Sequence, residues 1–292
     1  MQEKNSNQHG LNFVPENIYK NKFCIGCGVC KYQIDDNVKF VINDEGQYLP
    51  SLSKKISSEQ SDKFHQNIKS LCPFSDYTQN EDILAEEKFK SMNKDHRIGY
   101  YHETYAGHSN SRDDSSSGGA IYEFTSYLLK SKKVDAVLHV KPTKNSSVKF
   151  DYFFSEDLDS LSEGKGSHYY PISLANKINK IKQYKSIAVV GLPCFITAIN
   201  QLCIKDKEIN QIIKYKIGLI CGHLKTSHFS NYISMQIVGK NLSKSDSIKF
   251  RTEHKDMTKA NEYAMTVDTP ARSYTKPIRK LFGVDWGYGL FK

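Results

Sequence analysis

Val38-Lys39-Phe40-Val41-Ile42 is a β-rich run, and Asp44-Glu45-Gly46-Gln47-Tyr48 after it carries turn chemistry. Together they predict a hairpin, with Gly46 supplying the special backbone angle. Residues 82–93 read as a polar helix, and Tyr100 to His108 as an aromatic-rich extended stretch. From Ala120 to Lys130 the apolar positions Ile121, Phe124, Tyr127 and Leu128 form a helical stripe. Two strands follow, over 135–140 and 149–154, then a helix over 171–183. Ser186-Ile187-Ala188-Val189-Val190 is a short apolar strand of the kind buried on both faces of an α/β sheet. It runs through Gly191-Leu192-Pro193-Cys194 into a helix over 195–202. A second buried strand over 215–220 leads through Cys221-Gly222-His223 to a helix over 226–239.

This alternation predicts an α/β fold with a largely parallel or mixed sheet. The expected organisation is a flexible lead-in over 1–20, a cysteine-bearing segment over 21–95, and an α/β domain over 96–292.

Composition narrows the classes. At 292 residues and 38% hydrophobic content, the chain can bury one sizeable core and a smaller module. No run approaches the ~18 apolar residues of a membrane span. Met1 to Gly10 is polar and has no apolar signal region, so the expected location is the cytoplasm. The net charge is +9, but the lysines are scattered and no block of five or six basic residues occurs. That argues against nucleic acid. It leaves either a solvated basic surface or a face suited to an acidic electron-donor protein or an anionic substrate.

The densest chemistry lies in Cys24-Ile25-Gly26-Cys27-Gly28-Val29-Cys30, with a fourth cysteine in Leu71-Cys72-Pro73. Cys-x2-Cys-x2-Cys is the opening that bacterial ferredoxins use for a [4Fe–4S] cluster. A loop wrapped on a cluster needs positive-φ positions and free N–H groups, which Gly26 and Gly28 can supply. The ferredoxin pattern would close with another cysteine three residues on, but Lys31, Tyr32 and Gln33 stand there. Cys72 is the natural fourth ligand, giving Cys24, Cys27, Cys30 and Cys72. Zinc and unligated thiols remain as alternatives. A disulfide framework fits least, with seven cysteines, an odd number, in a long chain.

Two loops have the character of anion sites. Ser115-Ser116-Ser117-Gly118-Gly119 runs straight into the helix at Ala120, where hydroxyls, bare N–H groups and the helix dipole favour a phosphate, and Arg112 could add a charge-assisted contact. A flexible linker is the competing reading. Gly164-Lys165-Gly166-Ser167-His168-Tyr169-Tyr170 offers a cation, a hydroxyl and two glycines, without the Walker A spacing. His168 could titrate near neutral pH and donate a proton, or simply pack beside the tyrosines. Cys194 and Cys221 each end a strand expected to be buried, the position where open α/β sheets bind ligands, although small buried thiols fit there too. Cys203 reads as core. A cluster loop together with two phosphate-type loops suggests electron transfer between a cluster and a phosphate-bearing redox cofactor, and a flavin suits that task.

These segments resemble the coenzyme F420 hydrogenase/dehydrogenase beta-subunit family. The resemblance is carried, in order, by Cys24 to Cys30, Leu71 to Pro73, Arg112 with Ser115 to Gly119, Val134 to Val137, Gly164 to Tyr169, Val189 to Cys194 and Gly218 to Gly222, over about residues 20–225. It implies an oxidoreductase holding a [4Fe–4S] cluster and FAD, with a small ferredoxin-like iron–sulfur segment ahead of a flavin-binding α/β domain. By the family pattern Cys24, Cys27, Cys30 and Cys72 hold the cluster. Ser116, Ser117, Gly118 and Gly119, with Lys165, Gly166, Ser167, His168 and Tyr169, line the flavin. It also implies a partner oxidoreductase subunit or electron-donor protein and a small-molecule substrate, either coenzyme F420 or another hydride donor or acceptor.

The Gly99 to His108 stretch looks like members from surface-polysaccharide gene clusters. Members of this type continue past Phe282–Gly289 into a Cys-x2-Cys pair, whereas this sequence stops at Lys292, so any second cluster held by such a tail is expected to be absent. Two other functions compete. One is an accessory electron-transfer subunit that binds the cluster alone, and the other is a zinc-dependent nucleic-acid-binding protein.

Overall fold

The computed structural model describes Ile18 and residues 22–52, 56–110, 118–254 and 262–282. The expected lead-in over 1–20, Ile18 apart, lies outside them. The hairpin forms as expected: β1 (Val38–Ile42) and β2 (Tyr48–Leu52) pair around a turn in which Asn43 Oδ1 accepts the N–H groups of Glu45 and Gln47, with Gly46 at φ 76°. Helix α1 (Ser58–Leu71) starts where Ser57 Oγ accepts the Gln60 N–H. Helix α2 (Glu81–Phe89) starts where Asn80 Oδ1 accepts the Ile83 N–H. It ends earlier than the expected 93, because Asn93 onward is taken into the antiparallel pair β3 (Asn93–Asp95) and β4 (Gly99–Tyr101).

Helix α3 (Ala120–Lys130) forms, but its apolar stripe is not its buried face. Ile121, Phe124 and Tyr127 are exposed, while Thr125, Ser126 and Leu128 are buried. Thr125 Oγ1 donates to the Ile121 carbonyl at 2.7 Å, so that hydroxyl is satisfied within its own helix and can be buried cheaply. Strands β5 (Ala136–Pro142) and β6 (Phe150–Ser155) pair antiparallel, with α4 (Leu158–Ser162) after them. The helix expected over 171–183 reduces to a short 3-10 helix, Ile178–Gln183. Upstream of it the backbone is engaged elsewhere: the Leu174 N–H donates to the Cys27 carbonyl at 2.8 Å.

Strand β7 (Ile187–Gly191) is buried at every position and pairs in parallel with β8 (Ile213–Gly218). Between them lie α5 (Pro193–Lys205) and α6 (Lys207–Ile212). The second strand is displaced from the expected 215–220 and is only half-buried, since Lys214 is exposed and Ile220 beyond its end is fully so. Helix α7 (Ser227–Val238) is followed by a three-stranded antiparallel sheet, β9 (Ser247–Thr252), β10 (Ala264–Asp268) and β11 (Ser273–Pro277), and by α8 (Ile278–Phe282). Parallel and antiparallel pairing thus coexist in a mixed α/β fold. No helix among the described residues is long and apolar enough to cross a membrane.

The residues gather into two compact units. The first comprises the described residues as far as Val41, then Leu49–Gly107 and Ser173–Ile220. Its core joins Phe64, Ile68 and Leu71 of α1, the whole of β7, and Phe195, Ala198, Ile199 and Leu202 of α5. The second comprises Ile42–Tyr48, His108–Ile172 and the described residues from Cys221 on. Its centre is a row of rings: Phe150 to Phe250 at 5.9 Å, Phe250 to Phe229 at 5.9 Å and Phe229 to Phe282 at 6.3 Å. Beside the row Lys149, itself buried, donates to the carbonyls of Ser146, Ser243 and Asp246 at 2.9, 2.5 and 2.8 Å. An ammonium among carbonyls meets its hydrogen-bonding needs and clamps the 243–246 loop.

Candidate functional site

In the first unit, Cys24, Cys27, Cys30 and Cys72 line one apolar pocket, together with Ile25, Ile68, Leu71 and Phe74. Two devices shape it. The cysteine loop turns through Gly26 at φ 68° and Gly28 at φ 80°. A Cβ on Gly28 would fall 2.5 Å from the Ala175 nitrogen and the Ser173 hydroxyl, so only glycine lets the loop lie against the 173–175 backbone. The second device is α1, which ends at Cys72, whose N–H bonds the Ile68 carbonyl at 3.1 Å. The same helix reaches the loop through Asn67, whose buried amide donates to the carbonyls of Cys30 at 3.0 Å and Tyr32 at 2.6 Å. Lys205 Nζ in turn donates to Asn67 Oδ1 at 2.8 Å. Residues 37 positions apart are thereby held in register.

The thiols are electrostatically crowded. Burial pushes the Cys27 thiol well up, and the neighbouring Cys72, Cys24 and Cys194 add to the rise against the Val29 amide. Cys30 is likewise pushed far up, by burial first and then by Cys27, Cys24 and Cys72. Cys24 is raised by burial, and Cys72 is pushed up to about 11 by burial, with Cys24 adding. All seven cysteines carry free thiols, so no disulfide framework is present. Among the described residues, no three His, Cys, Asp or Glu side chains gather closely enough to hold a single metal ion. Cys194 stands in the first turn of α5 and is half-buried. Cys203 is in the core, as its position on that helix predicts.

In the second unit, Gly119 at φ 74° is the N-cap of α3, without a side-chain capping bond. The Gly118 carbonyl accepts the Ser109 N–H at 2.7 Å, and Ser109 Oγ donates to Glu123 in the helix's first turn at 3.0 Å. Arg112, Ser115, Ser116 and Ser117 lie outside the described residues. The other loop comes to the same place: the Lys165 ammonium lies over the ring of Tyr122, also in the first turn of α3, at 4.3 Å. Gly166 takes φ 106° and is exposed, while Ser167 is half-buried. Tyr169 meets Phe250 edge-on at 5.5 Å. His168 stacks on Phe150 at 4.6 Å, and its Nε2–H donates to the Gly164 carbonyl at 3.2 Å. Burial lowers its pKa to about 4, against the opposing pull of that carbonyl. The ring is therefore neutral at pH 7, and its Nε2 proton is already committed.

Sequence reasoning missed a buried polar chain beneath this loop. His139 Nε2 lies 2.8 Å from Ser155 Oγ, which lies 2.9 Å from Ser160 Oγ, to which Lys141 Nζ donates at 2.8 Å. Lys141 also pairs with Glu163 at 2.8 Å. The signal was there: His139 and Lys141 interrupt the apolar run of β5 at alternate positions, which puts both on one face.

The family model for the coenzyme F420 hydrogenase/dehydrogenase beta-subunit N-terminal region matches residues 103–179, and the one for its C-terminal region matches residues 184–279. The four pocket cysteines precede both. Among solved structures, a chain of the F420-reducing [NiFe] hydrogenase complex from Methanosarcina barkeri, in its xenon-derivatized form, is similar at 15% identity with a TM-score of 0.45. The match covers 65% of this chain and 65% of that one. Matched by both models over more than half of its length, the chain belongs to the coenzyme F420 hydrogenase/dehydrogenase beta-subunit family.

Proposed function

We propose that the protein is the flavin- and iron–sulfur-dependent subunit of an oxidoreductase. It would exchange electrons between a hydride donor or acceptor, of coenzyme F420 type or another small molecule, and a partner redox subunit. The observation that carries this reading is the pocket lined by four cysteines from two separated segments. Four half-buried thiols that oppose one another's ionisation suit a strongly cationic occupant, which would hold them as thiolates. Three cysteines on one short loop with a fourth from a second segment suit a multi-iron cluster better than the paired knuckles of a zinc site.

On this reading Cys24, Cys27, Cys30 and Cys72 hold a [4Fe–4S] cluster, Gly26 and Gly28 bring backbone close to it, and Ile25, Ile68, Leu71 and Phe74 exclude water. In the second unit, Gly118, Gly119 and the first turn of α3, with Arg112, Ser116 and Ser117, would hold FAD phosphates on one side. Lys165, Gly166, Ser167 and Tyr169 would hold the cofactor on the other. FAD accepts two electrons at once and releases them singly, which is the chemistry that links a hydride to a one-electron cluster. Lys165 would neutralise phosphate charge. His168, neutral and bonded to Gly164, serves as part of the wall in this reading and not as the proton donor.

Glu123 favours a second reading. A carboxylate in the first turn of α3 already complements the helix dipole and repels a phosphate, as expected of a subunit that binds the cluster and leaves flavin chemistry to a partner. Anaerobic purification with iron, sulfide and flavin analysis tests both. Flavin bands over a broad iron–sulfur shoulder are expected. The shoulder alone would move the second reading ahead, and a colourless zinc protein would sink both.

A further inference from the structure

Beneath the Gly164–His168 loop lies the largely buried chain of His139, Ser155, Ser160 and Lys141, in which hydrogen bonds and the Lys141–Glu163 ion pair compensate the lost water. His139 is 7% exposed, Lys141 7% and Ser155 not at all. Lys141 can only donate, so Ser160 Oγ accepts from it. The direction that uses each hydroxyl hydrogen once then has Ser160 donating to Ser155, and Ser155 donating to His139 Nε2. That leaves the ring proton on Nδ1, the edge turned toward Gly164. The contact there is close: a Cβ on Gly164 would lie 2.5 Å from Nδ1, 2.4 Å from Cε1, and 2.7 Å from the Val140 carbonyl. Gly164 is also the residue whose carbonyl holds His168, and whose neighbour Lys165 reaches Tyr122 on α3. The ring therefore fixes the residue from which the whole loop hangs.

We infer that His139, locked by the Ser155–Ser160–Lys141 chain, is the positioning residue that sets the Gly164–His168 loop and through it the site for the anionic cofactor. The inference rests on the reading of that loop as a cofactor site. His139 does not itself touch the cofactor. A neutral ring suits the role, because a protonated one would lose the hydrogen bond it accepts from Ser155. Burial, with Lys141 and His168 adding to it, holds the His139 pKa down to about 4 despite Glu163.

Two measurements on the full chain test it: the FAD dissociation constant, and hydrogen exchange of the 161–170 backbone without FAD. His139→Ala should weaken FAD binding about tenfold and speed exchange of the loop. His139→Gln, whose amide oxygen reaches the place of Nε2 and can accept from Ser155, should recover most of both. Gly164→Ala should cost less in the His139→Ala background than in the wild type, because one of its two close contacts is gone. The absorption of the first unit's pocket occupant serves as the folding control. Wild-type FAD binding and loop exchange in His139→Ala would overturn the inference, as would strictly additive effects of the two substitutions. If the wild type binds no FAD yet loop exchange follows this pattern, the positioning role stands and the flavin reading falls.

Discussion

The thiol pocket of the first unit and the glycine–lysine loop of the second are both candidate cofactor sites, yet they are built in opposite ways. In the pocket, the candidate ligand atoms are cysteine side chains, and the fold only has to place Cys72 at the end of α1 and tie that helix to the cysteine loop through Asn67. In the loop, the proposed cofactor site would draw largely on backbone N–H groups, whose placement would depend on the residues packed behind them: His139 against Gly164, and Tyr122 under Lys165. A side-chain site announces itself by residue type, whereas a backbone site is only as specific as the packing behind it.

The comparison breaks most sharply at Cys27. Cys27→Ser should abolish the iron–sulfur absorption and loosen residues 24–31 in hydrogen exchange, since ligation substitutes there for a core, while flavin binding in the second unit persists. Full cluster content in this variant would end the four-cysteine assignment.

Asn67→Ala comes next. It removes two buried donations to the cysteine loop and leaves the Lys205 ammonium without its amide partner, a loss of about 2–3 kcal/mol of stability with easier loss of iron to a chelator. Urea unfolding measures the first, and a timed chelation assay the second. An unchanged midpoint would mean that α1 does not support the pocket.

The second unit should be the acid-sensitive one. His139 and His168 both have pKa values lowered to about 4 from an ordinary 6.5, by burial first in each case. The unfolded chain therefore binds protons before the folded one. The stabilisation is fully present above pH 6.5 and drains as the pH falls toward 4, by up to about 1.4 kcal/mol per pH unit for each ring. Unfolding followed at pH 7, 5.5 and 4 checks this, and a flat profile for the His139→Gln, His168→Gln double variant would assign the effect to these rings.

The smallest effect sharpens the role of the loop. Lys165→Ala should weaken FAD binding by about three- to tenfold, as expected for one half-buried phosphate contact, and leave the cluster spectrum intact. A change in the cluster spectrum instead would mean that the two sites are not independent.

Much of the fold was legible in the chain, for local reasons. The β1–β2 turn is legible in Gly46, α2 in its polar run and β7 as an uninterrupted apolar run, whereas the helix α1 and its Ser57 cap are not among the elements the sequence led us to expect. The cysteine spacing offered three candidate ligands and Cys72 a fourth, and all four residues line one pocket. What local pattern could not reach was competition from distant partners. Residues 171–177 have the composition of a helix, but the Leu174 N–H is taken by Cys27, across the unit, and the helix is lost. The stripe on α3 has helical spacing, yet spacing is silent on which face is covered, and the small residues Thr125 and Ser126 turn inward.

By itself, then, the sequence determined the chemistry on offer: which residues can ligate, where the backbone can bend, and which runs must be buried. Those properties belong to single residues and their near neighbours. Only the tertiary structure decided that Ser173–Ile220 packs with the cysteine segment, that Asn67 ties α1 to Cys30, and that His139 lies against Gly164. Each joins residues far apart in the chain, and its energy exists only once the intervening chain has folded.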